Sequence, residues 1–214
     1  DFRKLTARSV DGLLQRGGTV LYTARCAEMM TTEGQQRAAD NCRYLGIDGL
    51  VCCGGDGTYR GALSLARLGV PCIGIPGTID NDIGCTEYTI GFDSASNTAI
   101  QCIDKLRDTM QSHERISVVE VMGRRAGHLA LNVGCAVGAA AVLVPEHEGN
   151  FEHDVIEKIR RSRINGRHHH IIIVSEGYSM TTQEVADRVQ EETGMDTRVT
   201  ILGHIQRGGS PTAR

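Results

Sequence analysis

Val70-Pro71-Cys72-Ile73-Gly74-Ile75-Pro76-Gly77-Thr78-Ile79-Asp80-Asn81-Asp82 begins apolar and ends acidic. Residues 70–75 have the character of a short buried strand, and Pro76-Gly77 is predicted to stop that strand and turn the backbone. Thr78, Asp80 and Asp82 then place a hydroxyl and two carboxylates in the loop at the strand's carboxyl end. In an open α/β sheet that edge is where ligands bind. Two acids one residue apart repel each other and cannot both be buried cheaply. A polar turn with helix-capping aspartates would explain this segment alone. A second acidic loop nearby, Gly54-Gly55-Asp56-Gly57-Thr58, favours a site instead.

Outward from this stretch, strands and helices alternate. Before it, a helix is predicted over Thr6 to Gln15, a strand over Thr19 to Thr23 delivering Arg25, a helix over Gln35 to Leu45, a strand over Ile47 to Cys53 and a helix over Tyr59 to Leu68. After it, Asp93 or Ser94 can cap a helix through Gln111, and Ile116 to Val121 has strand character. A helix from Ala126 to Val137, a strand from Ala139 to Val144 and a helix from Phe151 to Ser162 follow. The strand Ile171 to Val174 then precedes a helix opened by a Thr181/Glu184 capping box and running to about Thr193. Arg198 to Leu202 is the last strand. The strands are aliphatic without period-two polarity, the pattern of a parallel sheet covered on both faces. Arg25, Asp56, Asp80, Arg124, Glu176 and His204 each fall just past a predicted strand end.

Composition narrows the function classes. The 214 residues suffice for one large domain or two small ones, with 40% hydrophobic and 23% charged residues. No apolar run approaches the ~18 residues of a membrane span. A net charge of −3 argues against general nucleic-acid binding. Of 23 basic residues 20 are arginine, whose planar fork suits phosphate and carboxylate. The eight cysteines form no CxxC pair and are expected to be buried free thiols of a reducing cytoplasm. His168-His169-His170 enter a strand on alternating faces and are not expected to converge on one metal ion. The chain starts at Asp1 without an initiator Met, and an internal fragment is expected.

Asp56 sits at a strand–glycine–helix junction, where glycines let backbone approach a phosphate and the helix points free N–H groups at it. GxxxxGK[ST] is absent, and Gly55-x-Gly57-x-x-Arg60 fails the dinucleotide fingerprint. An acid in a phosphate cradle calls for a bridging divalent cation, and Mg²⁺ with a carboxylate and phosphate oxygens is the usual arrangement.

GGDGT, PGTIDNDI, SHERISVVEVMGRRAG and TRVTILGHIQRGGSP together resemble the bacterial ATP-dependent 6-phosphofructokinase family over essentially the whole chain. The resemblance implies an α/β fold of two Rossmann-like three-layer domains with mostly parallel sheets. Residues 1–91 would bind nucleotide, 92–203 would bind sugar phosphate and effector, and 204–214 would return towards the first domain. It implies phosphoryl transfer from ATP to the 1-hydroxyl of fructose 6-phosphate, giving ADP, in a cytoplasmic homo-oligomer, a tetramer by resemblance.

Residue by residue, the resemblance makes Asp80 the general base, with Thr78 and Asp82 beside it and Arg25 and Arg124 at the transferring phosphoryl group. Asp56 would hold Mg²⁺ on the nucleotide, flanked by Gly55, Gly57, Thr58 and Cys26. Thr78, Ile79, Met122, Gly123, Glu176, His204, Ile205, Gln206 and Arg207 would line the sugar-phosphate pocket. Arg115 and Arg198 would grip the 6-phosphate from a neighbouring subunit. Arg107, Gly138, Arg167, His168 and His169 match an effector site for ADP or phosphoenolpyruvate, although Ala140 and Asn165 depart from its usual acid and lysine. Gly57 and Gly77 match ATP users, whereas pyrophosphate users resemble GGDD and PKTIDND. NAD and lipid kinases share only GGDGT, and a non-catalytic paralogue would be expected to have lost Asp56 or Asp80. Family members begin with a strand and a GGDAPG-like loop not found here, and losing such donors costs ~10²–10³ each in rate, so the piece alone is expected to be inactive.

Overall fold

The computed structural model describes residues 2–214. The chain forms two compact units. The larger takes the chain up to Gly18, Ile79–Asn81 and Gly91–Arg214, and the smaller takes Thr19–Thr78 and Asp82–Ile90. This differs from the boundaries expected from sequence at both ends. Residues 208–212 pack on a helix of the larger unit, where the Thr98 hydroxyl donates to the Gly208 carbonyl (3.2 Å) and the Thr212 amide donates to Ser94 Oγ (3.1 Å).

In the smaller unit α1 (Thr32–Tyr44) precedes a β–α–β crossover: β1 (Leu50–Gly54), α2 (Asp56–Arg67) and β2 (Cys72–Thr78). β1 and β2 pair in parallel, Leu50 opposite Cys72, and β3 (Ile90–Gly91) flanks β2. Ala39, Cys42, Leu65 and Val70 form its core with Leu50 and Cys72. Only one face is covered in this way: Val51 and Ile73, on the other, are each 67% exposed. Two-sided burial is thus not seen in this unit. β2 also runs through Pro76-Gly77 to Thr78. Pro76 pairs opposite Gly54, and near a strand's end the missing N–H is tolerated.

The larger unit has a four-stranded parallel sheet in the order β5-β6-β4-β7. These strands are Ala141–Leu143, His170–Ser175, Ile116–Val121 and Thr197–Ile201 respectively, and their pairing is parallel throughout. One face packs on α5 (Glu157–Ile164), the π-helical turn Glu152–Ile156 before it, and α6 (Thr182–Thr193), through Val118, Ile172, Val155, Ile159 and Val185. The other face carries α3 (Phe92–His113) and α4 (His128–Val137). Val118 and Ile172 are wholly buried, worth about 1.5–3 kcal/mol each. Here the continuous aliphatic strands do report three layers. The Thr181/Glu184 capping box forms as expected.

Local propensity loses elsewhere. Thr6 to Gln15 contains only a 3₁₀ turn, Ala7–Ser9, and Thr19 to Thr23 is not a strand. Val10 and Leu14 remain 43% and 87% exposed, and a short helix without a buried face is marginal. α3 starts from Gly91 in the left-handed region, with Asp93 inside the helix accepting from Asn97. All eight cysteines are free as expected, yet Cys26, Cys53, Cys85 and Cys135 are exposed. Among the described residues no helix is long and apolar enough to cross a membrane.

His170, at the start of β6, is 4% exposed and its Nε2 has no hydrogen-bond partner. Burial, and then the positive charge of His169, Arg167, His168 and Arg163, push its pKa below the ordinary 6.5. The unfolded imidazole therefore binds its proton at higher pH than the folded one, and stability should fall as pH drops through 6.5. The thermal midpoint is expected to decline over that interval, and more shallowly in His170→Asn.

Candidate active site at the carboxyl edge

In the larger unit, α4 leaves β4 onto one sheet face, whereas α6 leaves β6 onto the other. β4 and β6 are adjacent, so their carboxyl ends form a topological switch point, the crevice where open parallel sheets bind ligands. Met122-Gly123-Arg124 leaves β4 there, and Glu176 leaves β6. One Glu176 carboxylate oxygen, Oε1, accepts from the amides of Gly123 (3.2 Å) and Arg124 (2.5 Å). Charge-assisted bonds of this kind are among the stronger ones proteins make.

That clamp holds an unusual backbone. Gly123 has φ +143° and Arg124 φ +54°. A Cβ at Gly123 would collide with the Ala126 carbonyl oxygen, and one at Gly177 with the Arg124 carbonyl oxygen. The two loops approach so closely that each requires glycine. Arg124 is exposed at the tip, and among the described residues its side chain makes no ion pair.

β7 supplies the third loop, a 3₁₀ turn over Gly203–Arg207. His204, Ile205 and Arg207 are exposed there. Gln206, expected to touch sugar phosphate, is 1% exposed instead. Its Oε1 accepts from the Met122 amide (3.3 Å) and its Nε2 donates to the Gly203 carbonyl (3.1 Å), so both ends serve the fold. The Met122 side chain is likewise buried. Sequence alone could flag Gln206 as polar and near a strand end, but carried no sign that it faces inward.

In the smaller unit, α2 begins at Asp56 with Gly55 as its N-cap and no side-chain cap. Asp56 is exposed and paired with Arg60 (3.0 Å). Thr58 packs against Gly54, where any Cβ would collide with its hydroxyl. A Cβ at Gly57 would meet nothing within 4 Å, whereas one at Gly77 would lie 2.8 Å from Cys53 Sγ. Arg25 and Cys26 are exposed, and among the described residues no strand leads into them. The Thr78 carbonyl accepts from the Thr89 hydroxyl (2.7 Å), and Asp82 is exposed. Asp80, with Ile79 and Asn81, belongs to the larger unit and is only 7% exposed.

Arg115 and Arg198 come together through a shared Asp196, at the amino edge of the larger sheet rather than the carboxyl edge. Arg107 donates to the Val137 carbonyl beside Gly138. Arg167 and His168 are exposed and His169 is half-buried, all three preceding β6. Among the described residues no group of three or more His, Cys, Asp or Glu side chains is arranged to hold a metal ion.

A family model described as phosphofructokinase matches residues 1–214. The chain is 54% identical over 212 residues to the ATP-dependent 6-phosphofructokinase of Shouchella clausii, covering 99% of this chain and 66% of the relative. It is 53% identical over 210 residues to the enzyme of that name from Bacillus subtilis, covering 98% and 65%. The chain thus spans just under two thirds of these relatives' length. A phosphofructokinase structure from Saccharomyces cerevisiae superposes with a TM-score of 0.91 at 39% identity, over 99% of this chain and 32% of that one. A pyrophosphate-dependent phosphofructokinase from Marinobacter aquaeolei shares the fold, with a TM-score of 0.74 at 23% identity over 94% and 55%.

Replacing Gln206 by Leu should leave the buried Met122 N–H without a partner, at a cost of ~1–3 kcal/mol. The expected results are a lower denaturant midpoint and faster hydrogen exchange at Met122, with exchange in α6 unchanged.

Proposed function

The chain belongs to the phosphofructokinase family, and from that premise we propose that the protein transfers the γ-phosphoryl group of ATP to the 1-hydroxyl of fructose 6-phosphate. The products are fructose 1,6-bisphosphate and ADP, a step of glycolysis. The observation that carries the reading is the switch-point crevice, with Arg124 held forward by Glu176 and His204 and Arg207 exposed beside it.

Asp80 accepts the proton of the sugar 1-hydroxyl as that oxygen attacks the γ-phosphorus. The bond from phosphorus to the β–γ bridging oxygen breaks, and ADP leaves with its electron pair. Arg124 and Arg25 offset the charge carried by the phosphoryl oxygens in transit. Thr78, Ile79 and Asp82 flank the base. Glu176 keeps its second oxygen for a sugar hydroxyl, while the Gly123 backbone, His204, Ile205 and Arg207 contact the remainder. Met122 and Gln206 act from behind, by holding the loop.

The first-turn amides of α2, which no side chain caps, suit nucleotide phosphates, with Gly55 and Thr58 beside them, and Cys26 is assigned to the nucleotide by resemblance. Asp56, exposed and adjoining those amides, would hold a Mg²⁺ ion, which would supply charge neutralisation at the nucleotide. The open volume at Gly57 favours ATP as donor over pyrophosphate.

β4 has six residues, so Arg115 and Arg124 lie at opposite ends of a strand about 20 Å long. One hexose phosphate does not span that distance. By resemblance, Arg115 and Arg198 serve the site of a neighbouring subunit in a homo-oligomer, a tetramer by the same resemblance. Arg107, Gly138, Arg167, His168 and His169 form the effector region, and the protein works in the cytoplasm.

In the full-length protein Asp80→Ser should lower kcat by ~10²–10⁴ while sugar-phosphate binding survives. Equal loss of both would make Asp80 structural. ATP should support turnover well above pyrophosphate, and Gly57→Asp should raise KM for ATP before it affects stability. Faster turnover with pyrophosphate would overturn the donor assignment.

A further inference from the structure

We propose that Asp196 is a positioning residue, one that orients the Arg115 and Arg198 guanidinium groups as a pair for a phosphate monoester at the amino edge of the larger sheet. The inference rests on the reading that these two arginines take the 6-phosphate. Arg115 immediately precedes β4 and Arg198 is the second residue of β7, on adjacent parallel strands paired Ile116 to Thr197. Two cations so placed repel one another and would splay into solvent. Asp196 sits between them: its Oδ2 lies 2.5 Å from Arg115 Nε, and both of its oxygens lie 3.2 Å from one terminal nitrogen of Arg198.

Asp196 is itself fixed, since its carbonyl accepts from the Ile116 amide (3.0 Å) as the strands begin to pair. Each arginine gives it a single nitrogen. The other guanidinium nitrogens make no ion pair or hydrogen bond among the described residues, leaving a fork on each side for an anion.

Two other roles compete. As a structural ion pair the cluster would contribute little, because its side chains are 32%, 40% and 63% exposed for Arg115, Asp196 and Arg198. As a competitor, the Asp196 carboxylate would repel a phosphate. That repulsion acts across solvent and is screened, whereas two long arginine side chains left untethered would each have to be ordered on binding. Orientation therefore outweighs repulsion. The pair also keeps a net positive charge, two guanidinium groups against one carboxylate.

The test uses the full-length protein carrying Asp196→Ala or Asp196→Glu, beside Arg115→Ala and Arg198→Ala. For Asp196→Ala, KM for fructose 6-phosphate should rise about tenfold with kcat nearly unchanged, the signature of lost binding shared by ground and transition states. Asp196→Glu should recover most of that loss. Without ligand the melting temperature should not move, while the rise produced by saturating inorganic phosphate should shrink. An unchanged or lower KM in Asp196→Ala overturns the proposal, as does a ligand-free melting temperature that falls while the phosphate-induced rise is retained. If Arg115→Ala and Arg198→Ala both leave KM unchanged, the phosphate assignment of the arginines fails, whatever Asp196 does.

Discussion

The larger unit depends on one carboxylate oxygen. Glu176 Oε1 accepts two successive amides of the loop beyond β4, and that loop has left-handed backbone at both residues. Non-glycine residues in that region carry strain of order 1–3 kcal/mol, so Arg124 stays there only because its surroundings over-determine it. The glycines at 123 and 177 let the two loops close on each other, and Gln206 ties the same loop to the one beyond β7. Three consecutive strand ends of the parallel sheet are thereby cross-linked without a disulfide or a long loop. Preorganisation of this sort is useful where charge must be met without delay, because the donor does not have to be moved into place during reaction.

The two edges of that sheet are built differently. At the carboxyl edge the polar groups are braced: Gln206 is buried, Glu176 is committed to amides, and Thr182 at the start of α6 donates to Glu120 inside β4. At the amino edge Arg115, Asp196 and Arg198 lie on the surface, and the buried polar group nearby, His170, has an unpartnered ring nitrogen. A braced edge suits chemistry with narrow geometric tolerance. An exposed, mutually oriented pair of cations suits a ligand group that is gripped and released.

How much of this the sequence disclosed follows from how local each signal is. β4, β6, the Thr181/Glu184 capping box and the loops after the strands rest on periodicity or on contacts three residues apart, and the larger unit obeys them. The resemblance in PGTIDND and GHIQRGGSP pointed to the family across the whole chain. Residues 6–15 had helical spacing yet found no surface to bury against, so spacing alone could not make a helix. Gln206 and Asp196 were illegible in another way. Whether a Gln faces in or out of a 3₁₀ turn, and whether an Asp lies between two arginines distant in sequence, is settled by strand register, which no local window contains.

Gly57 and Gly77 show why a motif must be weighed against packing before it is read as chemistry. Both belong to sequence patterns that separate nucleotide from pyrophosphate users, and on the page of sequence they count equally. In the fold they do not. A side chain at 77 would press on the Cys53 sulfur of the neighbouring strand, so packing alone gives that glycine a role and the residue says less about any ligand. At 57 nothing in the protein resists a Cβ, φ is not positive, and a glycine in the first turn of a helix forgoes helix propensity. Nothing in the protein's own packing calls for that glycine. Of the two, Gly57 is the one that packing leaves unexplained.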